Sequence, residues 1–170
     1  PYTETAQGLF WSPDSRSLGY ISEGEIRTIN VDSGLRGVVC RATADREAAW
    51  GAGDVIVHGG PSGIQACGRD TPVTALADGE IAHRAPWFLP DGRHFLYLAR
   101  TPTTAELRIA SVDPGSPTVV VGPSDSNAVY SQNHILFVRG NVLLAQPFDA
   151  STRTARGEPF RVTEDPIGIT

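Results

Sequence analysis

The 170-residue sequence contains no lysine: all fourteen of its cationic side chains are arginines. That absence excludes Schiff-base chemistry, a lysine general base, the P-loop lysine and the phosphate-contacting lysine of protein kinases. Methionine is absent too, so either an initiator was removed or these residues belong to a longer chain, and a fragment of a longer protein is the expectation. No run approaches the roughly 20 consecutive apolar residues that a membrane span needs. The opening Pro1-Tyr2-Thr3-Glu4-Thr5 lacks the charged and apolar regions of a signal peptide, so a soluble segment with no membrane contact of its own is expected. Cysteine is scarce. Cys40 and Cys67 are too few for a disulfide framework and too isolated for a zinc site; two half-buried thiols are expected, with a single disulfide between neighbouring sheets as the alternative. Positive charge is also short: the net charge is −5 and the pI about 5.3, which leaves no broad cationic surface to neutralise phosphates and argues against nucleic acid as a partner.

What the sequence has in quantity is punctuation. Its 18 glycines and 13 prolines are more than a helical bundle tolerates and suit many short strands joined by tight turns. Trp11, Trp50, Trp87 and Tyr130 recur in similar local settings at intervals of 39, 37 and 43 residues, close to the length of one four-stranded propeller blade. Phe10-Trp11-Ser12-Pro13-Asp14-Ser15-Arg16 corresponds to Pro86-Trp87-Phe88-Leu89-Pro90-Asp91-Gly92-Arg93 with one residue inserted, and both read as a strand running into a turn. Short apolar runs follow at Leu18–Ile21, Val55–Val57, Phe95–Leu98 and Ile135–Val138, as expected of second strands buried on both faces. Third strands end in aspartate at Asp32, Asp113 and Asp149, with a glycine-broken version over 64–70 in the second unit. Short outer strands are predicted at 37–39, 73–76, 118–121 and 160–162, where shortness and polarity protect a sheet edge. The expected fold is therefore all-β: one array of four-stranded antiparallel blades over about 7–41, 46–78, 83–122 and 126–164, with Trp11, Trp50, Trp87 and Tyr130 packed between blades.

These residues carry a family resemblance. Trp11-Ser12-Pro13-Asp14-Ser15-Arg16 with Leu18-Gly19-Tyr20, and Phe88 through Tyr97, resemble the TolB-type, WD-repeat-like propeller motif. The string His83 to Leu98, and Ile135 to Asp149 leading to Gly157-Glu158-Pro159-Phe160, resemble the propeller that follows the kinase domain in bacterial membrane-anchored serine/threonine kinases. The resemblance implies an extracytoplasmic or periplasmic module that recognises ligands or proteins. Propellers of this kind close with about six or more blades, whereas this sequence holds four. An open array of four would show a bare apolar face at each end, to be covered by closure into a small four-bladed ring, by assembly of two or more chains into a larger ring, or by the remainder of a longer parent; self-association, for instance two copies in one ring, is the leading expectation. No kinase signature is present: there is no glycine-rich phosphate loop, no His-Arg-Asp loop and no Asp-Phe-Gly.

First strands line the channel of a propeller, and ligands sit at the mouth formed by the residues leading into them. Four and three positions before the aromatic anchors stand Gln7 and Gly8, Arg46 and Glu47, His83 and Arg84, and Ser126 and Asn127. Arg46, Glu47, His83, Arg84 and Asn127 are thus the candidate ligand-binding set, with Arg46 and Arg84 as anion anchors and His83 as a titrating group. The competing reading is a solvated channel in which His83 and Arg84 staple adjacent blades. The four histidines show no metal-binding spacing, Gly60-Pro61-Ser62-Gly63 lacks a nucleophile elbow, and Asp14 and Asp91 read as turn caps rather than a carboxylate pair. No cofactor is expected. A non-catalytic recognition or scaffolding module leads; a hydrolase or lactonase-like site using His83 with Glu47 or Asp125 is the alternative, and a propeller fragment without a function of its own is the third.

Overall fold

A computed structural model of the chain describes residues 6–42 and 47–163. Four antiparallel sheets follow one another along the sequence. Blade 1 is β1 (Gln7–Trp11), β2 (Ser17–Ser22), β3 (Glu25–Asn30) and β4 (Arg36–Arg41), paired in that order. Blade 2 holds β5 (Ala48–Trp50), β6 (Ile56–His58) and β7 (Gln65–Ala66), with one 3-10 turn at Ala52–Asp54. Blade 3 is β8 (Ala82–Phe88), β9 (His94–Arg100), β10 (Ala105–Ser111) and β11 (Val119–Pro123). Blade 4 is β12 (Val129–Ser131), β13 (His134–Arg139) and β14 (Val142–Asp149), whose two halves pair with β15 (Thr154–Ala155) and β16 (Phe160–Arg161).

Blade 2 departs from expectation: 73–76 forms no strand. Gly63 adopts φ 123° and bends the chain so that the amides of Val73 and Thr74 converge on one acceptor, the Ile64 carbonyl, where a ladder would spread them over successive residues. The Pro-Asp turns do cap themselves. Asp14 Oδ1 accepts from Ser12 Oγ at 2.6 Å and the Arg16 amide at 3.0 Å, and Asp91 Oδ1 accepts from the amides of Arg93 and His94, both at 2.9 Å.

Three apolar clusters correspond to three joints between consecutive blades. Period-two alternation sends one set of side chains forward and the other back. Ile21 and Ile26 of blade 1 meet Ile56 of blade 2. Ala49 and Val57 of blade 2 meet Phe95 and Tyr97 of blade 3, and Leu96 and Leu98 of blade 3 meet Ile135 and Phe137 of blade 4.

The aromatic repeat shifts by one position in blade 3. Trp11 pairs with Leu18, Trp50 with Ile56 and Tyr130 with Ile135, and the residue paired with the equivalent Phe95 is Phe88, not Trp87. Trp87 therefore points to the opposite side of β8 and is 44% exposed, which corrects its assignment as a blade anchor. The inserted residue belongs to a bulge between Arg84 and Trp87, which matches the bulge between Gln7 and Phe10. Each true anchor packs in the joint behind its blade: Trp50 edge-on to Phe10 at 6.4 Å, Phe88 in the joint of blades 2 and 3, and Tyr130 in that of blades 3 and 4. Trp11 is 54% exposed and so is not packed between blades, because no described blade lies behind it.

Cys40 on β4 and Cys67 just after β7 form a disulfide across the first joint, with 5.5 Å between their Cα atoms. The expectation of two separate thiols gives way to its alternative because the blade 1–2 joint brings the outer strand of one sheet against the third strand of the next.

Candidate functional site

An antiparallel blade places the start of its first strand, its second-to-third-strand loop and its incoming connector at the same end. At that end, across blades 2 to 4, lies a cavity of about 500 Å³. Three of the five sequence-derived candidates line it: Glu47 leading into β5, Arg84 on β8 and Asn127 leading into β12, together with Ser126. Arg46 falls outside the described residues. The cavity further takes in Arg100 at the end of β9, the Thr101–Thr104 loop, and Ser124 and Asp125 of the connector.

One oxygen of each cavity carboxylate is committed to backbone. Glu47 Oε2 accepts the Ala85 amide at 2.8 Å, at a residue in the left-handed region with φ 52°, so the carboxylate of blade 2 holds the β8 bulge in place. Asp125 Oδ2 accepts the Gly140 amide at 2.6 Å. Arg84 is half-buried and Arg100 exposed. The lining thus combines two guanidinium groups, two partly engaged carboxylates and a rim of threonine, serine and asparagine side chains. Such a surface can receive a carboxylate through a guanidinium fork and hydroxyl groups through the threonine loop.

His83 does not line this cavity. Its side chain is fully buried at the blade 2–3 joint, where its backbone bridges Gly60 and its ring lies 4.8 Å from that of Tyr97. Nδ1 is 2.7 Å from Thr74 Oγ1 and Nε2 is 2.9 Å from Glu80 Oε2. A carboxylate only accepts, so in the neutral imidazole Nε2–H donates to Glu80 and Nδ1 accepts the Thr74 hydroxyl. Thr74 Oγ1 in turn accepts the Ile64 amide at 2.8 Å. Glu80 completes the group by accepting the Ala77 amide and pairing with Arg108, both at 2.7 Å. Burial holds the His83 pKa below that of a free imidazole, against the opposing pull of Glu80. Burial raises that of Glu80, but the Ala77 amide, His83 and Arg108 together outweigh it and bring it below the usual range. The hydroxyl–imidazole–carboxylate order resembles a hydrolytic triad, yet the Thr74 oxygen is buried and already serves backbone. It fastens two blades. As a site candidate His83 is displaced because consecutive strand residues point to opposite faces: His83, paired with Ala99, turns into the blade 2–3 joint, while Arg84, paired with Leu98, faces the cavity.

Sequence reasoning missed Arg100 and the Thr101-Pro102-Thr103-Thr104 loop by counting only positions ahead of first strands. The missed signal was available: antiparallel order returns the end of every second strand to that same mouth. Among the described residues, no group of three His, Cys, Asp or Glu side chains is arranged to hold a metal ion.

The fold is that of β-propeller blades, and it is similar to solved TolB and gluconolactonase structures. The chain superposes on TolB from Acinetobacter baumannii with a TM-score of 0.64 at 15% identity, covering 95% of this chain and 44% of that one. It matches a putative TolB from Agrobacterium tumefaciens with a TM-score of 0.68 at 16% identity, over 94% of this chain and 62% of the other. A gluconolactonase from Xanthomonas campestris gives 0.67 at 17% identity, over 96% and 64%. The chain thus spans between 44% and 64% of the length of these structures. No family model and no curated protein matches the sequence.

Proposed function

We propose that the chain is a non-catalytic propeller module for recognising a protein or small ligand, and that its mouth cavity seats a carboxylate, either free in a small hydroxy acid or at a peptide C-terminus. The observation that carries this reading is the convergence of Arg84 and Arg100 with the threonine loop on one cavity of about 500 Å³. The sequence strings that resemble those of propellers in bacterial membrane-anchored kinases favour a sensory role beyond the membrane. The Cys40–Cys67 disulfide supports an oxidising compartment, since such bonds persist in secreted and periplasmic proteins.

Calorimetric titration with small hydroxy acids, and with one peptide bearing a free or an amidated C-terminus, tests the reading and separates the two ligand sources. Arg84→Ala should weaken binding about 10- to 100-fold, the effect of losing a contact to a charged group worth about 1.5 to 3 kcal/mol. No heat with any carboxylate, or equal affinity after Arg84→Ala, refutes it. A hydrolytic, lactonase-like reading is favoured by one observation, the fold shared with the gluconolactonase. In that case Glu47 or Asp125 would act without His83, and turnover of a lactone abolished by Glu47→Gln would establish it over the binding-only reading.

A further inference from the structure

The mouth cavity holds charges of both signs and keeps them apart. Glu47 leads into blade 2, Arg84 and Arg100 belong to blade 3, and Asp125 lies on the connector into blade 4. In blade order, then, the two guanidinium groups stand between two carboxylates. Elsewhere in the molecule neighbouring arginines and acids close into ion pairs, as Arg27 does with Glu25 and Arg108 with Glu80. Among the described residues, Glu47, Asp125 and Arg100 form none, although they line one cavity.

The reason is local. Each acid is tethered to a backbone amide of its own wall, Glu47 Oε2 to Ala85 at 2.8 Å and Asp125 Oδ2 to Gly140 at 2.6 Å. Both amides sit where the chain turns into the left-handed region, with φ 52° in the β8 bulge and 59° in the β13–β14 turn. A carboxylate held in this way does not swing across to a guanidinium. Its second oxygen, Glu47 Oε1 or Asp125 Oδ1, has no hydrogen bond among the described residues and is left to accept a charged N–H donor. Leu98 and Pro102 supply apolar wall to the same cavity. The four charges sum to zero, so a ligand of one sign answers one pole and leaves the other desolvated and unpaired.

We propose that the mouth binds a zwitterion, whose carboxylate lies on Arg100 and Arg84 and whose ammonium lies on the remaining oxygens of Glu47 and Asp125. A free amino acid carries this pair of charges, and so does a peptide ending in lysine. The inference rests on the carboxylate reading of the cavity and adds the second pole. Calorimetric titration of the wild-type chain with probes of one carbon length tests it: norleucine, 6-aminohexanoate, 6-hydroxyhexanoate, hexanoate and hexylamine. One of the two zwitterions should bind about 10- to 100-fold more tightly than any single-charge probe, the effect of one added contact to a charged group. Norleucine as the tighter of the two identifies a free amino acid, and 6-aminohexanoate a lysine-ended peptide. Glu47→Gln and Asp125→Asn keep an oxygen for the tethering amide and remove the charge. Each should weaken the zwitterion about 10-fold or more and leave hexanoate unchanged, whereas Arg100→Ala should weaken both. Hexanoate or 6-hydroxyhexanoate binding as tightly as the zwitterions overturns the inference and leaves the carboxylate reading standing. Hexylamine as the tightest probe, or heat from none, overturns both. Equal loss of zwitterion and hexanoate in the Glu47 and Asp125 variants also overturns the inference, because the acids would then only shape the wall.

Discussion

The imidazole of His83 illustrates how a residue read as functional is claimed by packing. Its two nitrogens are satisfied by Thr74 and Glu80, and burial, which penalises the charged form, holds its pKa below the free value. The unfolded chain binds a proton near pH 6.5 that the folded chain resists, so its contribution to stability is complete above that pH and is lost as pH falls through the depressed folded value. Glu80, also shifted downward, extends the loss further into acid. Urea midpoints followed from pH 7.5 to 5 should therefore fall, and His83→Gln, less stable at neutral pH, should show a flatter profile over that range. An unchanged slope in the variant would assign the acid sensitivity elsewhere. Residues of this kind are hard to read in sequence: His83 and Glu80 are three positions apart, but Arg108 reaches them across the sheet of blade 3 and Thr74 only through the blade joint.

At the scale of elements, the blades are spaced by their smallest residues. A Cβ added at Gly51 would lie 2.5 Å from the Phe88 ring and 2.5 Å from the Gly92 carbonyl, where the turns of blades 2 and 3 touch through a 2.9 Å bond from the Ala52 amide to that carbonyl. Gly51→Ala should cost about 1 to 3 kcal/mol by overpacking, measured as a shift in denaturation midpoint. Wild-type stability in that variant would show that the two turns separate freely. The strands themselves follow from local pattern: His94 to Arg100 alternates two apolar sets, and each set fills a different joint. Blade 2 does not, because Gly63, Gly68 and Pro72 interrupt the stretch where its outer strands were expected, and tertiary contacts with the 77–83 connector replace the missing ladder.

For the whole molecule, an array of blades is as strong as its separate joints. Among the described residues the first joint is the weakest by burial, with three buried apolar residues against nine and ten in the others, and it is the one crossed by the Cys40–Cys67 disulfide. Closing that 27-residue separation contributes about 3 to 4 kcal/mol in the chain-entropy account. Reduction should accordingly release blade 1 first: hydrogen exchange under native conditions should show β2 and β3 amides losing protection while β9 and β13 keep theirs. Uniform loss across all four blades would mean that the array unfolds as one unit. The sequence by itself determined the all-β class, the blade count and the turn chemistry, because glycine, proline and aspartate punctuation and the period-two apolar pattern act over a few neighbouring residues. Only the tertiary structure decided that Phe88 rather than Trp87 is the anchor, that His83 belongs to a joint while Arg100 belongs to the cavity, and that the two cysteines meet. Each of those depends on a bulge, a register or a blade-to-blade approach between residues distant along the chain, which local pattern does not encode.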